Sequence, residues 1–345
     1  MAYTTINKSS DYFNTKLYTG NATDDTAITG VGFTPSFLWG KNRTDATNHY
    51  FIDAVRGVTK EINSNNSDAE GTDATLKKSF DSDGFTLGNG SLNQSSKDFV
   101  TWNWKANGQG SANSDGSINT TYTSANTTSG FSISTVTLSG SGNQTFGHGL
   151  GVTPSLIIFK CTSHAESWKV YHSSLSSPES KYLQLNTTDE AGNASNIWGA
   201  GMTSSTVGVK VGTIGTAGQD YVAYCFAEKK GFSKFGSYTG NGNADGAFIY
   251  TGFKPAFVLL KNTTLSVENW VINDSGRNPS NIVDKDLFAN QNYVEAVHSR
   301  QDFLSNGFKF RSTANNSNKS GDTYIYMCFA ESPLVSSNGV PAVAR

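Results

Sequence analysis

Short runs of β-branched and aromatic residues recur along the chain, and Gly, Asn, Asp or Ser separates them every eight to twelve residues. This pattern predicts many short antiparallel strands joined by turns, with little helix. Two kinds of run are apolar at every position, rather than at alternate ones: a run that follows a proline, as in 37–39, and an aromatic run, as in 221–226. Strands that are apolar on both faces are expected to lie centrally, between packed layers.

Both kinds of run occur three times, which indicates an internal repeat. The segments 35–41, 154–160 and 255–261 each begin with proline and end with lysine at the same distance. The aromatic runs that close the three copies are 99–104, 221–226 and 324–329. The sequence therefore predicts an all-β protein of three tandem antiparallel β-sandwich modules.

We place these modules at residues 1–110 (the first repeat), 111–228 (the second repeat) and 229–345 (the third repeat). A polar, Gly-, Ser- and Asn-rich segment at 107–119 and a Thr- and Ser-rich hairpin at 120–130 are expected to join the first repeat to the second.

Composition excludes several classes of partner. The net charge is −2 and no single-sign surplus exists, which disfavours binding to nucleic acid. No run approaches the roughly 18 apolar residues of a membrane-spanning helix, and the first ten residues contain no secretion signal, so we expect neither membrane insertion nor signal-directed secretion. The three cysteines lack C-x-x-C spacing and are expected to be free, with Cys225 and Cys328 buried in the closing strands.

Four motifs resemble a known group of proteins: 148–154, 224–237, 238–242 and 252–258. Together they are similar to a family of uncharacterised repeat proteins of tailed bacteriophages, often marine, and the resemblance covers nearly the whole chain, including both ends. It implies a virion protein, assembled in the host cytoplasm. It implies no catalytic residue.

On this resemblance we expect a tail-fibre or receptor-binding component that contacts the host surface, or alternatively a capsid-decoration or collar protein that binds other virion proteins. The expected partners are other virion proteins and a host surface glycan or receptor, and the protein is expected to form homo-oligomers. A polysaccharide-degrading enzyme is the third and weaker hypothesis.

Candidate chemistry is sparse, and we expect no catalytic residue, metal site or cofactor. Asp81 and Asp83 resemble part of a calcium loop, but the later ligands of such a loop are absent and a turn explains both residues. His172 precedes Ser173 and Ser174, but neighbouring residues in a strand point to opposite faces.

The binding candidate is Trp198, because it lies in a polar segment without a counterpart in the other repeats. More generally, we expect contacts with partners in the loops 176–178, 193–202 and 315–321, where the repeats differ.

Overall fold

A computed structural model describes residues 3–199, 201–336 and 339–341 of the chain. This part is all-β and contains one short 3-10 helix at Ser9–Asp11, which confirms the predicted all-β class, whereas the division into three sandwich modules stays a prediction. The strands, numbered in chain order, are β1 Phe13–Thr19, β2 Thr26–Thr29, β3 Phe37–Asn42, β4 His49–Asp53, β5 Lys60–Asn63, β6 Gly71–Thr72, β7 Lys77–Asp81, β8 Gly84–Leu87, β9 Asp98–Trp104, β10 Tyr122–Asn126, β11 Phe131–Thr137, β12 Gly142–Gly147, β13 Leu156–Cys161, β14 Lys169–His172, β15 Lys181–Tyr182, β16 Gly192–Asn193, β17 Thr206–Val211, β18 Asp220–Phe226, β19 Ser233–Thr239, β20 Phe248–Tyr250, β21 Phe253–Asn262, β22 Val271–Asp274, β23 Val283–Phe288, β24 Ala296–Leu304, β25 Gly307–Phe310 and β26 Thr323–Pro333.

Each repeat has one main antiparallel sheet with the same central arrangement. The closing strand (β9, β18 or β26) pairs on one side with the first long strand (β1, β11 or β19) and on the other with the Pro-led strand (β3, β13 or β21). A further strand, β4, β14 or β22, extends each sheet beyond the Pro-led strand. The three sequence copies therefore fold into equivalent strands.

The Pro-led strands are buried on both faces, as predicted. In β3, Phe37 and Trp39 face one apolar cluster, whereas Leu38 between them faces another. The same alternation occurs in β13 and β21, because successive side chains of a strand point to opposite faces. These strands thus have no polar face, which is why the sequence shows no alternation there.

A second, smaller layer covers the outer face of each main sheet. It consists of β2, β8 and β7 in the first repeat and of β12 and β17 in the second. In the third repeat, the outer strands β24, β25 and β20 continue from the main sheet, so that eight strands form one nearly closed sheet. A separate apolar cluster fills the space between the two layers of each repeat.

The inner faces of the three main sheets meet in one continuous apolar cluster, called the shared core below. Phe329 illustrates this, since its ring lies 5.0 Å from that of Phe13 in the first repeat and 6.0 Å from that of Phe226 in the second. The repeats therefore pack as one body around a common centre. The exact limits of 1–110, 111–228 and 229–345 stay a prediction.

Candidate functional site

The lysine next to the end of each Pro-led strand is fully buried and links two repeats. Each ammonium donates a hydrogen bond to a carbonyl near it in its own repeat and another to a carbonyl of a neighbouring repeat. The inter-repeat acceptors are Asn292 for Lys41 (3.4 Å), Ser67 for Lys160 (3.2 Å) and Thr188 for Lys261 (3.0 Å). The conserved proline-to-lysine distance thus places three equivalent cations at three equivalent interfaces.

Burial lowers the pKa of Lys41, Lys160 and Lys261 to about 8 in each case. The cause is desolvation, which disfavours the charged ammonium. The carbonyl oxygens accept hydrogen bonds from the ammonium, but they carry no full negative charge that would offset the desolvation. At neutral pH the three lysines are still mainly protonated, and they hold the repeats together through these carbonyl contacts.

Backbone hydrogen bonds follow the same cyclic order around the molecule. Two residues after each lysine, a carbonyl accepts an N–H from a neighbouring repeat. The donor and acceptor pairs are Glu70 with Thr162, Ala191 with Thr263, and Glu295 with Arg43, at 2.8, 3.0 and 3.0 Å. The first repeat contacts the second, the second contacts the third, and the third contacts the first, so the arrangement closes like that of a cyclic trimer within one chain.

A third set of contacts joins the repeats at Asp53, His172 and Asp274, which occupy equivalent positions at the ends of β4, β14 and β22. Asp53 accepts a hydrogen bond from the Tyr224 hydroxyl at 2.7 Å. Asp274 accepts one from Trp102 Nε1 at 3.1 Å. Each carboxylate therefore accepts a hydrogen bond from the closing strand of a neighbouring repeat.

His172, the third member of this set, has an imidazole where the other two positions have a carboxylate. Met327, the counterpart of Trp102 and Tyr224, has no proton to donate, and the imidazole instead contacts the backbone of the preceding residue. His172 Nε2 lies 3.1 Å from the Tyr326 carbonyl oxygen, while its Nδ1 accepts the Ser174 N–H. His172 therefore reaches the closing strand of the third repeat through a backbone carbonyl, where the two aspartates contact side chains.

Two of these positions also carry buried ion pairs. Arg56 Nε lies 2.6 Å from Asp53, and Arg277 Nε lies 2.5 Å from Asp274. In the second repeat Leu175 takes the place of the arginine and packs in the shared core, since the neutral His172 needs no cation. The exchange of Asp and Arg for His and Leu conserves charge balance at the buried interface.

The carboxylate of Glu295 extends the ion pair of Asp274 to the first repeat. Arg277 Nη1 lies 3.2 Å from Glu295, and Arg43 contacts the same carboxylate at 2.8 Å. Although burial alone would raise the pKa of Glu295, the two guanidinium groups hold it below its usual value. This cluster connects residues of the first and third repeats through charge-assisted hydrogen bonds.

Burial lowers the pKa of His172 from 6.5 to about 4. This histidine stays neutral in the folded chain but takes up a proton in the unfolded chain below pH 6.5, so protonation favours unfolding. We therefore expect the free energy of unfolding to fall as the pH decreases from 6.5 to 4, by up to about 3 kcal/mol from this residue. Urea titrations at several pH values measure this loss.

The contribution of His172 is isolated with His172→Gln, which keeps an N–H donor but does not titrate. This variant should lose less stability between pH 6.5 and 4 than the natural protein, whereas His164→Gln, at an exposed position, should follow the natural protein. Parallel pH profiles for all three proteins would show that protonation of His172 does not destabilise the fold.

The other candidates from the sequence have structural roles. Asp83 lies in the turn between β7 and β8, but its carboxylate accepts hydrogen bonds from the N–H groups of Gly30 and Gly32 after β2, a contact with a distant loop and not with its own turn. His148, the first residue of the motif 148–154, is buried and accepts the Leu150 N–H through Nδ1. Within the described ranges, no group of three or more His, Cys, Asp or Glu side chains is arranged to hold a metal ion.

The structure corrects the expectation for Trp198. Its side chain is fully buried between the two layers of the second repeat, where its ring lies edge-on to Tyr171 and Nε1 donates to the Lys181 carbonyl at 2.9 Å. The polar residues around it suggested an exposed loop, but this segment folds over the β12–β17 layer and uses the indole as its anchor. The ring therefore has no face available to a ligand.

The loop 315–321 is also more structural than expected. Asn318 is buried, and its side chain accepts the N–H of Asn241, as Asn93 does for Asn21 in the first repeat. The Tyr238 hydroxyl donates to the Ser317 carbonyl. The motif 238–242 thus fixes the end of β19 to the loop 315–321 through hydrogen bonds.

Of the three loops expected to bind partners, 176–178 keeps exposed serines at 176 and 177. The loop 193–202 includes residue 200, which lies outside the described residues. The chain ends that contribute to the phage resemblance, residues 1–2 and 342–345, also lie outside them.

All three cysteines are free, and Cys225 and Cys328 are buried, as the sequence predicted; Cys161 is buried as well. Burial raises the pKa of Cys225 to about 12, so the thiolate required for reaction is scarce. We expect a thiol reagent to detect all three cysteines in the denatured protein without reductant, and almost none of them in the native protein within the same time. Rapid labelling of the native protein would show that these strands open readily.

Taken together, the fold and its buried contacts define an all-β repeat protein whose three repeats close around a shared core. A family model described as a domain of unknown function (DUF7483) matches residues 8–333. The chain belongs to this family. No curated protein and no solved structure matches the chain. No helix in the part that the structure describes is long and apolar enough to cross a membrane.

Proposed function

We propose that this protein is a structural component of a phage virion, located on a tail fibre, that binds the host surface without catalysing a reaction. The resemblance of motifs such as 238–242 and 252–258 to repeat proteins of tailed phages supports the virion origin. That resemblance concerns sequence, and the family match supplies no activity.

The non-catalytic part of the proposal rests on one observation: six buried titratable side chains at the repeat interfaces are engaged in contacts between repeats. The three lysines, Asp53, His172 and Asp274 all contact a neighbouring repeat. These groups act as links within one body. A catalytic acid or base would instead need access to a substrate in a cleft.

The closed arrangement of repeats also suits a fibre component. A shared core and three sets of inter-repeat contacts join the repeats into one packed unit, and such a scaffold can hold exposed loops and edges in fixed positions for a partner. Contacts with the host would then come from the surface of this unit, while its strands provide the scaffold.

Immunogold labelling of intact virions tests the proposal. Antibodies against the purified protein should label the fibres, and the protein or these antibodies should reduce phage adsorption to host cells. Labelling of the head or collar without an effect on adsorption would favour the alternative of a capsid-decoration or collar protein. Absence of the protein from virions, or depolymerisation of a host polysaccharide by it, would contradict the proposal.

A further inference from the structure

An open pocket of about 290 Å³ lies where the beginning of the chain meets the start of the third repeat. Tyr3 and Tyr250 form its aromatic walls, and Glu228, Lys230 and Lys234 contribute charged groups. The volume lies near the lower end of the range of about 300–1,000 Å³ for ligand sites, which suits one small ring better than an extended chain.

The two tyrosines are held by specific contacts. The Tyr3 hydroxyl donates to the Gly252 carbonyl at 2.6 Å, and burial, together with a hydrogen bond to Tyr250, raises the pKa of Tyr3 to about 12. Gly252 has a positive φ of 80°, and a Cβ there would lie 2.7 Å from the Tyr3 hydroxyl. Glycine at this position therefore allows the chain start to close the pocket.

Tyr250 belongs to an exposed aromatic strip that distinguishes the third repeat. Phe248 and Tyr250 project from the outer face of β20 and are 46% and 55% exposed, while Ile249 between them is buried. Tyr250 pairs with Gly307, as Thr29 pairs with the equivalent Gly84 in the first repeat. The first repeat forms the same strand pair with a threonine at this position. The fold therefore does not require an aromatic residue there, and the strip is a feature of the third repeat.

The charges of the pocket are not balanced. Lys234 lies 2.8 Å from Glu228, which neutralises both. The ammonium of exposed Lys230 lies 4.7 Å above the centre of the Tyr3 ring, a cation–π contact that restrains the cation without cancelling its charge. One positive charge therefore remains beside the aromatic walls.

From this combination we infer that the pocket binds a sugar ring that carries a carboxylate, such as a uronic acid at the end of a surface polysaccharide. A tyrosine has an apolar face and a polar edge, and so does a pyranose, whose C–H groups can cover the ring while its hydroxyls reach Glu228 and Lys234. Lys230 would form a charge-assisted hydrogen bond with the carboxylate. The inference rests on the proposed function, for which it names the chemical class of the host ligand.

The test uses the full chain and a matched pair of probes, methyl β-D-glucuronide and the neutral methyl β-D-glucoside, with binding followed by NMR titration. We expect the natural protein to bind the glucuronide more tightly than the glucoside. Tyr250→Ala should weaken binding of the glucuronide about tenfold or more. Lys230→Gln should remove the preference for the charged probe.

Tyr293→Ala is the matched control, because Tyr293 is 54% exposed like Tyr250 but does not line the pocket. It should leave binding unchanged. Both tyrosine variants remove an exposed ring, so each is expected to keep the melting temperature of the natural protein. No binding by the natural protein, equal binding of the two probes, or full binding by a folded Tyr250→Ala variant would overturn the inference.

These outcomes are separable from the test of the proposed function. If neither probe binds but antibodies label the fibres and block adsorption, the pocket inference fails and the fibre proposal stands. If the glucuronide binds but the protein is absent from virions, the site is real and the virion proposal fails.

Discussion

Replacing Asp274 with alanine should lower the free energy of unfolding by about 3–5 kcal/mol. The carboxylate is fully buried, lies 2.5 Å from Arg277 Nε and accepts a hydrogen bond from Trp102 in the first repeat. Its removal leaves the equally buried Arg277 with only Glu295 as a charged partner and leaves Trp102 Nε1 without an acceptor. The cost comes from these uncompensated polar groups, more than from the lost attraction itself.

Urea unfolding of the natural protein, Asp274→Ala and Asp24→Ala measures this effect. Asp24 is the matched control, since it pairs with Lys78 on the surface and half of its side chain is exposed. Such a surface pair contributes about 0–1 kcal/mol. If the two alanine variants lost similar stability, the Asp274–Arg277 pair would not be the buried link between repeats that its geometry indicates.

Replacing Phe329 with alanine is the second severe change, with an expected loss of about 3–5 kcal/mol. Its ring lies in the shared core and contacts aromatic rings of all three repeats: Phe13, Trp104, Phe226, Phe232, Phe235 and Phe257. The cavity left by the ring would be lined by all three sheets, so none of them can fill it alone.

Because this core is shared, the loss should affect the whole molecule at once. Calorimetry should show one unfolding transition for the natural protein and one transition at a lower temperature for Phe329→Ala. Phe248→Ala, which removes an exposed ring, and Pro255→Ala should both be mild. Separate transitions, with only one of them shifted in Phe329→Ala, would mean that the repeats unfold as independent modules.

The strand pattern could be predicted from the sequence because it depends on local chemistry. The apolar runs at 37–39, 156–159 and 257–260 are strands buried on both faces. Alternation and turn residues report on each strand separately, and three copies of the same pattern reinforce one another. The burial of Cys225 and Cys328 follows from the same reasoning, because both lie in apolar closing strands.

The role of the repeated lysines could not be predicted in this way. The equal proline-to-lysine distance was visible, but a lysine at the end of a strand usually reaches solvent. Lys41, Lys160 and Lys261 are buried because a neighbouring repeat covers each of them. A useful signal was nevertheless present: a charged residue kept at one position in all three copies, within an otherwise apolar run, indicates a specific partner.

For Trp198 the sequence suggested a binding role that the structure does not support. Its polar neighbours and its absence from the other repeats suggested a surface loop, and sequence comparison cannot reveal that the segment turns back over β17. The pocket at Tyr3 and Tyr250 could not be predicted either, because residues 247 positions apart form its walls. Such sites depend on the path of the chain in space, which local patterns do not encode.

Repeated apolar runs and turn residues were sufficient to establish an all-β chain with three copies of one strand arrangement, since each feature acts over a few residues. They did not reveal whether the copies fold side by side or around a common centre. That arrangement emerges from contacts between residues far apart in the chain, such as Asp53 with Tyr224 and Asp274 with Trp102. Burying the inner faces of three sheets against one another removes more apolar surface from water than three isolated modules could, and this gain selects the closed body.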